Sequence, residues 1–249
     1  MNFQHLKSVI GKNKVYFLND SKIKANGFKN VSHIIENAQE GQIDTGKMMS
    51  ALMLKVQKLG VLILNSIPVS SYIDHGNSVK IIVNKEFEFT SKKLLIATNG
   101  FAMKLLPNCA VDPARGQVII TSPIKKLNVK GAFHFQKGYY YFRNIGDRLL
   151  LGGGRNLNIK QEQTMEFGTT EIVQKSLEKL LKTTILPNAK YTIDQRWSGI
   201  MGMGLGLEKS PIVKTLSKNT FCALRMGGMG IAIGSLVGEE VAELIEQSW

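Results

Sequence analysis

Residues 224–246 read LRMGGMGIAIGSLVGEEVAELIE. Gly227, Gly228 and Gly230 fall within four positions. An apolar run then leads into a helix, expected from about Ser235, that carries Glu239, Glu240 and Glu243. A glycine loop that opens a helix presents backbone N–H groups and the positive end of the helix dipole, which suits the anionic edge of a ligand. Gly228-x-Gly230 and Gly234 approximate a dinucleotide fingerprint, but that unit needs a second parallel strand after the helix and an acid about 20 residues further on. The sequence stops at Trp249, so the loop is not expected to be the first turn of a complete βαβ unit. It either faces a ligand or lets a helix pack tightly on a strand, and these residues alone leave both open.

Working outward, TFCALRM (220–226) is a strand feeding the loop, preceded by strand-like PIVKTL (211–216) and DQRWSGI (194–200). In the middle, GQVIITS (116–122), GAFHFQ (131–136), GYYYFR (138–143) and RLLLGGG (148–154) alternate like a meander, with turns at QKG and NIGD. An amphipathic helix is expected over 168–182. Nearer the amino terminus, KVYFL (14–18) is a short strand. Asp44 and Thr45 are N-cap candidates for TGKMMSALMLKVQKLG, which Gly60 ends. VLILN (61–65) follows as a buried strand. DHGN turns VSSYI into SVKIIVN, FEFT continues the hairpin, and LLIATNG (94–100) is a buried strand followed by a short helix, FAMKLLP. Helices interspersed with mostly antiparallel strands indicate a mixed α/β (α+β) fold.

Composition narrows the function classes. Lys+Arg 32 less Asp+Glu 19 leaves +13, with a sequence pI near 9.7. The lysines are scattered and no run of five basic residues occurs, which indicates a solvated basic surface rather than a nucleic-acid footprint. Cys109 and Cys222 have no metal-ligand spacing, nor do His5, His33, His75 and His134, so no metal site is expected. Reduced thiols and the lack of an apolar leader in residues 1–20 fit a cytoplasmic protein. No run reaches the ~20 apolar residues of a membrane span.

Taken in order, GQIDTGKMMSALMLKVQKLGV, IPVSSYI, LLIATNGFAMKLLP, ARGQVIITSP, GYYYFRNIGDRLLLGGGRN, RWSGIMG and MGGMGIAIGSLVGEEVAELI resemble the FAD-dependent oxidoreductases of the D-amino-acid oxidase type, glycine oxidase and sarcosine oxidase included, from about Gly41 to Trp249. The resemblance implies a flavoprotein-type fold with an antiparallel substrate domain. It divides the chain into 1–40 (an amino-terminal remnant of the substrate region), 41–110 and 196–249 (FAD-binding parts), and 111–195 (substrate domain). It places Val69 and Gly100 against the dinucleotide, and Met226, Gly227, Gly228, Met229, Gly230 and Ile231 around the flavin ring. Reduction puts negative charge near flavin N1 and C2=O, which N–H groups at a helix start stabilise. Non-covalent FAD is implied, as are hydride transfer to flavin N5 from a carbon bearing an amine or hydroxyl, and a small amine, amino-acid or hydroxy-acid substrate.

Two departures matter. Residues 1–40 show no G-x-G-x-x-G segment. The chain is therefore expected to be the carboxyl-terminal two-thirds of such an enzyme, lacking its first βαβ unit, and to bind FAD weakly or not at all without an amino-terminal partner segment. After Trp197-Ser198-Gly199, where the amino-acid oxidases carry an arginine for the substrate carboxylate, this chain has Met201. Methionine forms no bidentate ion pair, so Arg143, Arg155 and Arg225 become the candidate cations. Tyr139 matches a pocket tyrosine, and Arg115 is expected to anchor a domain interface. No residue is assigned as catalytic base, His134 being a weak candidate. The alternative function is a non-catalytic flavoprotein-derived module holding RNA or a partner protein through its basic surface.

Overall fold

The computed structural model describes residues 15–206 and 208–249. Expectations for residues 1–14, His5 and Lys14 among them, lie outside these. In chain order the strands are β1 (Tyr16–Leu18), β2 (Ile35–Asn37), β3 (Val69–Asp74), β4 (Val79–Val83), β5 (Phe87–Ser91), β6 (Leu94–Ile96), β7 (Asp112–Thr121), β8 (Ala132–Phe135), β9 (Tyr140–Ile145), β10 (Arg148–Gly153), β11 (Ile193–Met203), β12 (Ile212–Ser217) and β13 (Thr220–Leu224). The helices are α1 (Ser21–Asn26), α2 (Thr45–Lys58), α3 (Ile159–Glu162), α4 (Glu171–Leu180) and α5 (Gly230–Glu246). The mix of helices with mostly antiparallel strands agrees with the fold class expected. The chain divides into two units, one taking residues 15–44, Gln117–Leu157 and Thr169–Trp197, the other Thr45–Gly116, Asn158–Gly168 and Ser198–Trp249.

In the first unit the expected meander forms a five-stranded sheet in the order β11-β7-β10-β9-β8, with antiparallel pairing from β7 to β8. Alternation decides its two faces. Tyr140, Phe142, Leu149 and Leu151 turn inward against Val173, Leu177 and Leu181 of the α4 region, and Phe28 closes the cluster edge-on to Phe133 and Phe142. Tyr141 takes the other side, opposite Gly152. A Cβ at Gly152 would lie 2.5 Å from the Tyr141 ring, so glycine there makes room for the ring. A closed polar chain ties β7 to α4 and β11: Gln117 donates to the Thr170 hydroxyl, Gln174 donates to Gln117, and Arg196 donates to Gln174.

The second unit holds the antiparallel meander β3-β4-β5 and the sheet β12-β13-β6, in which β13 pairs parallel with β6. Strand β13 is buried along its whole length. One face packs on Val237 and Val241 of α5, the other on Ile96, Ala102 and Val111.

Two local expectations need correction. VLILN (61–65) is not a strand, and Val61, Leu62 and Leu64 are 54%, 78% and 62% exposed. Its composition suits a strand, but no neighbouring strand pairs with it among the described residues, and an unpaired strand does not hold. The last helix begins at Gly230, five positions before Ser235. Glycine is a poor helix former, but burial of Val237 and Val241 carries the helix through Gly234 and Gly238. The helix expected at Thr45 forms, although none of its side chains is buried.

Asp74 fastens the end of β3 to the β12–β13 turn. Its carboxylate accepts from the Ser217 hydroxyl, the Asn219 amide N–H at 2.9 Å, Asn219 Nδ2 at 3.0 Å and the Gly76 N–H at 2.8 Å. The Ser217 hydrogen bond above all, joined by the Gly76 and Asn219 donors, holds this carboxyl well below the usual carboxylate range against the opposing push of burial. A carboxyl with a lowered pKa stabilises the fold above its unfolded value and loses that contribution as pH falls through the folded one. Asp74→Asn should therefore melt several degrees lower than the parent at pH 7, and the gap should begin to narrow only once pH falls below about 4. Melting curves from pH 7 to pH 3 check this. A gap independent of pH would assign the effect to packing instead.

Candidate functional site

The glycine loop leaves β13 through an unusual backbone. Arg225 has φ +63° and Gly227 has φ +55°; the left-handed region is uncommon for side chains other than glycine. Arg225 is held there by its own contacts. The buried guanidinium donates from Nε to the Ser210 carbonyl at 2.7 Å and from Nη1 to the Ala110 carbonyl at 3.3 Å, with Nη2 3.5 Å from Glu208. That side chain is engaged in fixing the loop's entry.

The stem of the loop is fixed by residues not singled out from the sequence. The Met226 N–H donates to Asn99 Oδ1 at 3.2 Å, and the Gly227 N–H donates to the Gly202 carbonyl at 2.9 Å. Asn99 is itself left-handed, φ +44°, at the start of a 3-10 turn over Asn99–Lys104. Only the NG of TNG and the repeated glycines of IMGMG hinted at this in the sequence.

Past the stem, the Met229 N–H returns to the Met226 carbonyl, and the Ala232 and Ile233 N–H groups both reach the Met229 carbonyl. The N–H groups of Gly228, Gly230 and Ile231 have no protein acceptor among the described residues. They stand at the first turn of a 17-residue helix, where the dipole is positive. A Cβ at Gly228 would meet nothing within 4 Å, and its φ is ordinary. Neither backbone conformation nor packing within the protein requires glycine at 228.

Gly100 differs. A Cβ there would lie 2.8 Å from the carbonyl oxygens of Ile200 and Met201, so close packing on β11 accounts for this glycine. Met201 is half-buried, and its terminal methyl lies 3.2 Å from where a Cβ of Gly116 would stand. Val69 opens β3 opposite Val83, half-buried against Val79, Ile81 and Val83. All these residues belong to the second unit.

Tyr139, Arg143 and Arg155 belong to the first. Tyr139 is exposed at the turn into β9. Arg143 lies further along β9 and donates to the Ile43 carbonyl. Arg155 is half-buried in a 3-10 turn directly after β10. The tyrosine that packs over the sheet is Tyr141, beside His134 of β8 in register. Burial pushes its phenol up from the ordinary value. Reading GYYYFR alone does not separate Tyr139 from Tyr141, since both carry the same parity. Arg115, expected at a domain interface, pairs with Glu162 of its own unit. Among the described residues there is no cluster of metal-ligating side chains, and no helix is long and apolar enough to cross a membrane. Both cysteines are free thiols.

Residues 11–244 match the model of a family described as FAD dependent oxidoreductase. A stretch of 80 residues is 30% identical to the bifunctional protein ThiO/ThiG of Synechocystis; it takes in 32% of this chain and 12% of that relative's length. Among solved structures, the chain is similar to glycine oxidase from Bacillus cereus (TM-score 0.77, 16% identity, 99% of this chain and 68% of that one). It is also similar to L-proline dehydrogenase from P. horikoshii (TM-score 0.75, 19% identity, 98% and 68%).

Proposed function

Because the chain belongs to the FAD-dependent oxidoreductase family, we propose that it serves an amino-acid-oxidase type of reaction on a small amine, amino acid or hydroxy acid, with FAD held non-covalently. The glycine oxidase and L-proline dehydrogenase that share its fold are named for amino-acid substrates. The observation that carries the reading is the loop before α5. Three N–H groups without acceptors among the described residues stand at a helix start, beside a glycine that neither backbone conformation nor packing demands.

Bound FAD would accept at N5 a hydride from the carbon bearing the amine or hydroxyl. The residues of this chain supply the setting. Gly228, Gly230 and Ile231 offer donors to the electron-rich N1 and C2=O edge, which stabilises negative charge developing there. Asn99 and Gly202 hold the loop so that these donors need no reorganisation. No histidine or cysteine lies within residues 226–231 to attach the ring covalently. Val69 is assigned to the dinucleotide, and Tyr139, together with Tyr141 on the same parity of its strand, to the substrate side. The basic-surface alternative is not carried forward, since the family match takes in nearly the whole chain.

A strand–G-x-G-x-x-G–helix segment is proposed as the partner that supplies the pyrophosphate contact, a helix N-terminus being the usual anion cradle. The chain of 249 residues is expected to bind FAD at least about tenfold more weakly alone than fused behind such a segment, a difference of roughly 1.4 kcal/mol. Flavin-fluorescence titration measures both. A yellow, stoichiometric flavoprotein from the chain alone would remove the need for the segment. For the reaction, the flavin-loaded protein is mixed anaerobically with small amino acids, amines and hydroxy acids. Bleaching of the flavin absorbance by one of them supports the proposed function, and an unchanged spectrum with all of them sinks it.

A further inference from the structure

The first unit holds a cleft at the edge of its sheet, built from residues that the flavin loop does not use. Among the described residues, β8 is the last of the five strands and is bonded to β9 alone, while β2 is bonded to β1 alone. Between them lies a cavity of about 730 Å³, with residues 130–136 along one wall and 33–37 along the other. All of its lining belongs to that one unit.

The pattern of lining shows what the walls are. A strand that borders a space with one face contributes every second residue, because side chains alternate. Here seven consecutive residues take part on one wall and five on the other, so the strand edges, with their backbone groups, border the space. Apart from its ladder with β9, no backbone group of Ala132–Phe135 is hydrogen-bonded among the described residues. Edge strands with such unpaired groups are usually guarded by lysine or proline, and AFHF has neither. The two edges run in opposite directions. Gln42 Nε2 donates to the Asn144 carbonyl at 2.7 Å, and the Gly131 N–H donates to Asn144 Oδ1 at 3.0 Å. The chain from β2 thus arrives at the end of the cleft from which β8 departs.

The side chains add a second requirement. Phe28 and Phe142 form a buried floor, with Phe133 stacked on Phe142 at 4.8 Å between centroids. Ile35 of the opposite wall is 67% exposed. Among the lining charges, Lys22 and Lys130 balance Glu36 and Glu40, and Lys22 already pairs with Glu36 at 2.7 Å. In a chain of net charge +13, this cleft is locally neutral and has no excess charge to draw an anion. The floor favours an apolar group, and the open edges favour one carried on a peptide backbone.

We propose that the cleft binds an extended, uncharged peptide segment of another polypeptide as an added strand on β8, with its alternate apolar side chains on the aromatic floor. Main-chain hydrogen bonds to the edge supply affinity, and the floor supplies the preference at every second position. At ~3.4 Å per residue, β8 and its flanks match a segment of about five residues. This interaction goes beyond the oxidoreductase reading and does not depend on it.

The test uses the 249-residue protein with the blocked peptides acetyl-TVTVT-amide, acetyl-TFTFT-amide and acetyl-TETET-amide, in calorimetric titrations and amide hydrogen exchange. The valine or phenylalanine peptide should bind and slow exchange within residues 131–136. The glutamate peptide should bind at least about tenfold more weakly, since its carboxylates would lose water over an apolar floor. Methylating the two valine amides in one peptide and the three threonine amides in another blocks one strand edge each; at least one of these should bind about tenfold more weakly than the parent peptide. Ile35→Ser should weaken the valine peptide about fivefold with an unchanged thermal midpoint, because that side chain is exposed. The inference is overturned if neither apolar peptide binds, if exchange in 131–136 is unchanged by binding, or if Ile35→Ser binds as the parent does. Undiminished binding of both methylated peptides would make the cleft a site for a small apolar molecule instead. Tighter binding of the glutamate peptide would assign the attraction to the basic surface, and protection of 131–136 that grows with protein concentration alone would give the edge to a second copy of this chain; either result also overturns it.

Discussion

Gly228→Val should abolish flavin binding or flavin reduction while moving the thermal midpoint by no more than about 2 °C. The position has ordinary φ and open space around its Cβ direction, so the folded chain accommodates valine. A ring resting on the loop would not. The isopropyl group would stand between that ring and the N–H groups of Gly228, Gly230 and Ile231, and losing a single donor of this kind costs roughly 2.7–4 kcal/mol of transition-state stabilisation. Tight helix-on-strand packing, the other use of such glycines, makes the opposite forecast: global destabilisation, with flavin affinity lost only in proportion to unfolding. Gly227→Ala is the useful contrast. Its φ of +55° makes any side chain strained there, so it should lower stability by about 1 kcal/mol through the backbone. Affinity and melting temperature are measured on the same flavin-binding fusion. Normal affinity and normal reduction in Gly228→Val would show that the loop does not hold the isoalloxazine.

The strand–loop–helix character of 220–246 was legible because hydrophobic pattern and glycine spacing are local signals. The meander of 116–153 was legible for the same reason: alternation of Tyr140, Phe142, Leu149 and Leu151 against their neighbours carries its own register. What escaped depends on partners distant in sequence. Asn99 meets Met226 across 127 positions, and Arg115 meets Glu162 across 47. Neither pairing leaves a periodic trace. VLILN misled for a related reason. Its composition states a preference for pairing, but whether a strand forms is decided by a neighbour. Which of Arg143, Arg155 and Arg225 the fold engages in its own contacts was likewise closed to sequence, since those partners lie far away along the chain. At 201 the departure from the arginine pattern was plain, and the structure adds that the methionine packs over Gly116.

Glu162→Ala should be the most destabilising single change outside the hydrophobic clusters. Glu162 is fully buried and Arg115 is 8% exposed. They meet as a two-pronged pair, Nε to Oε2 at 2.8 Å and Nη2 to Oε1 at 3.2 Å. The same guanidinium reaches the carbonyls of Gln161 and Glu166, so one side chain gathers the segment Asn158–Gly168 beside β7. Glu162 raises the Arg115 pKa against the push of burial, and even without that carboxylate an arginine keeps its proton at working pH, so the cation cannot escape by losing it. Removing the carboxylate leaves a charge buried without its counter-ion, which costs roughly 3–5 kcal/mol and should lower the midpoint by roughly 10 °C at this chain length. The loss should also reach the site. Arg115 precedes Gly116, on which Met201 packs, and the Gly168 N–H donates to the Ser198 hydroxyl at 3.0 Å in the W-S-G stretch. Arg115→Met with Glu162→Leu tests the mechanism. Replacing both ions by apolar side chains of similar volume is often neutral, so the double variant should recover most of the stability that Glu162→Ala loses. Thermal melts of the parent, the single variant and the double variant decide it. If the double variant melts as low as Glu162→Ala, the segment is held by something other than this ion pair.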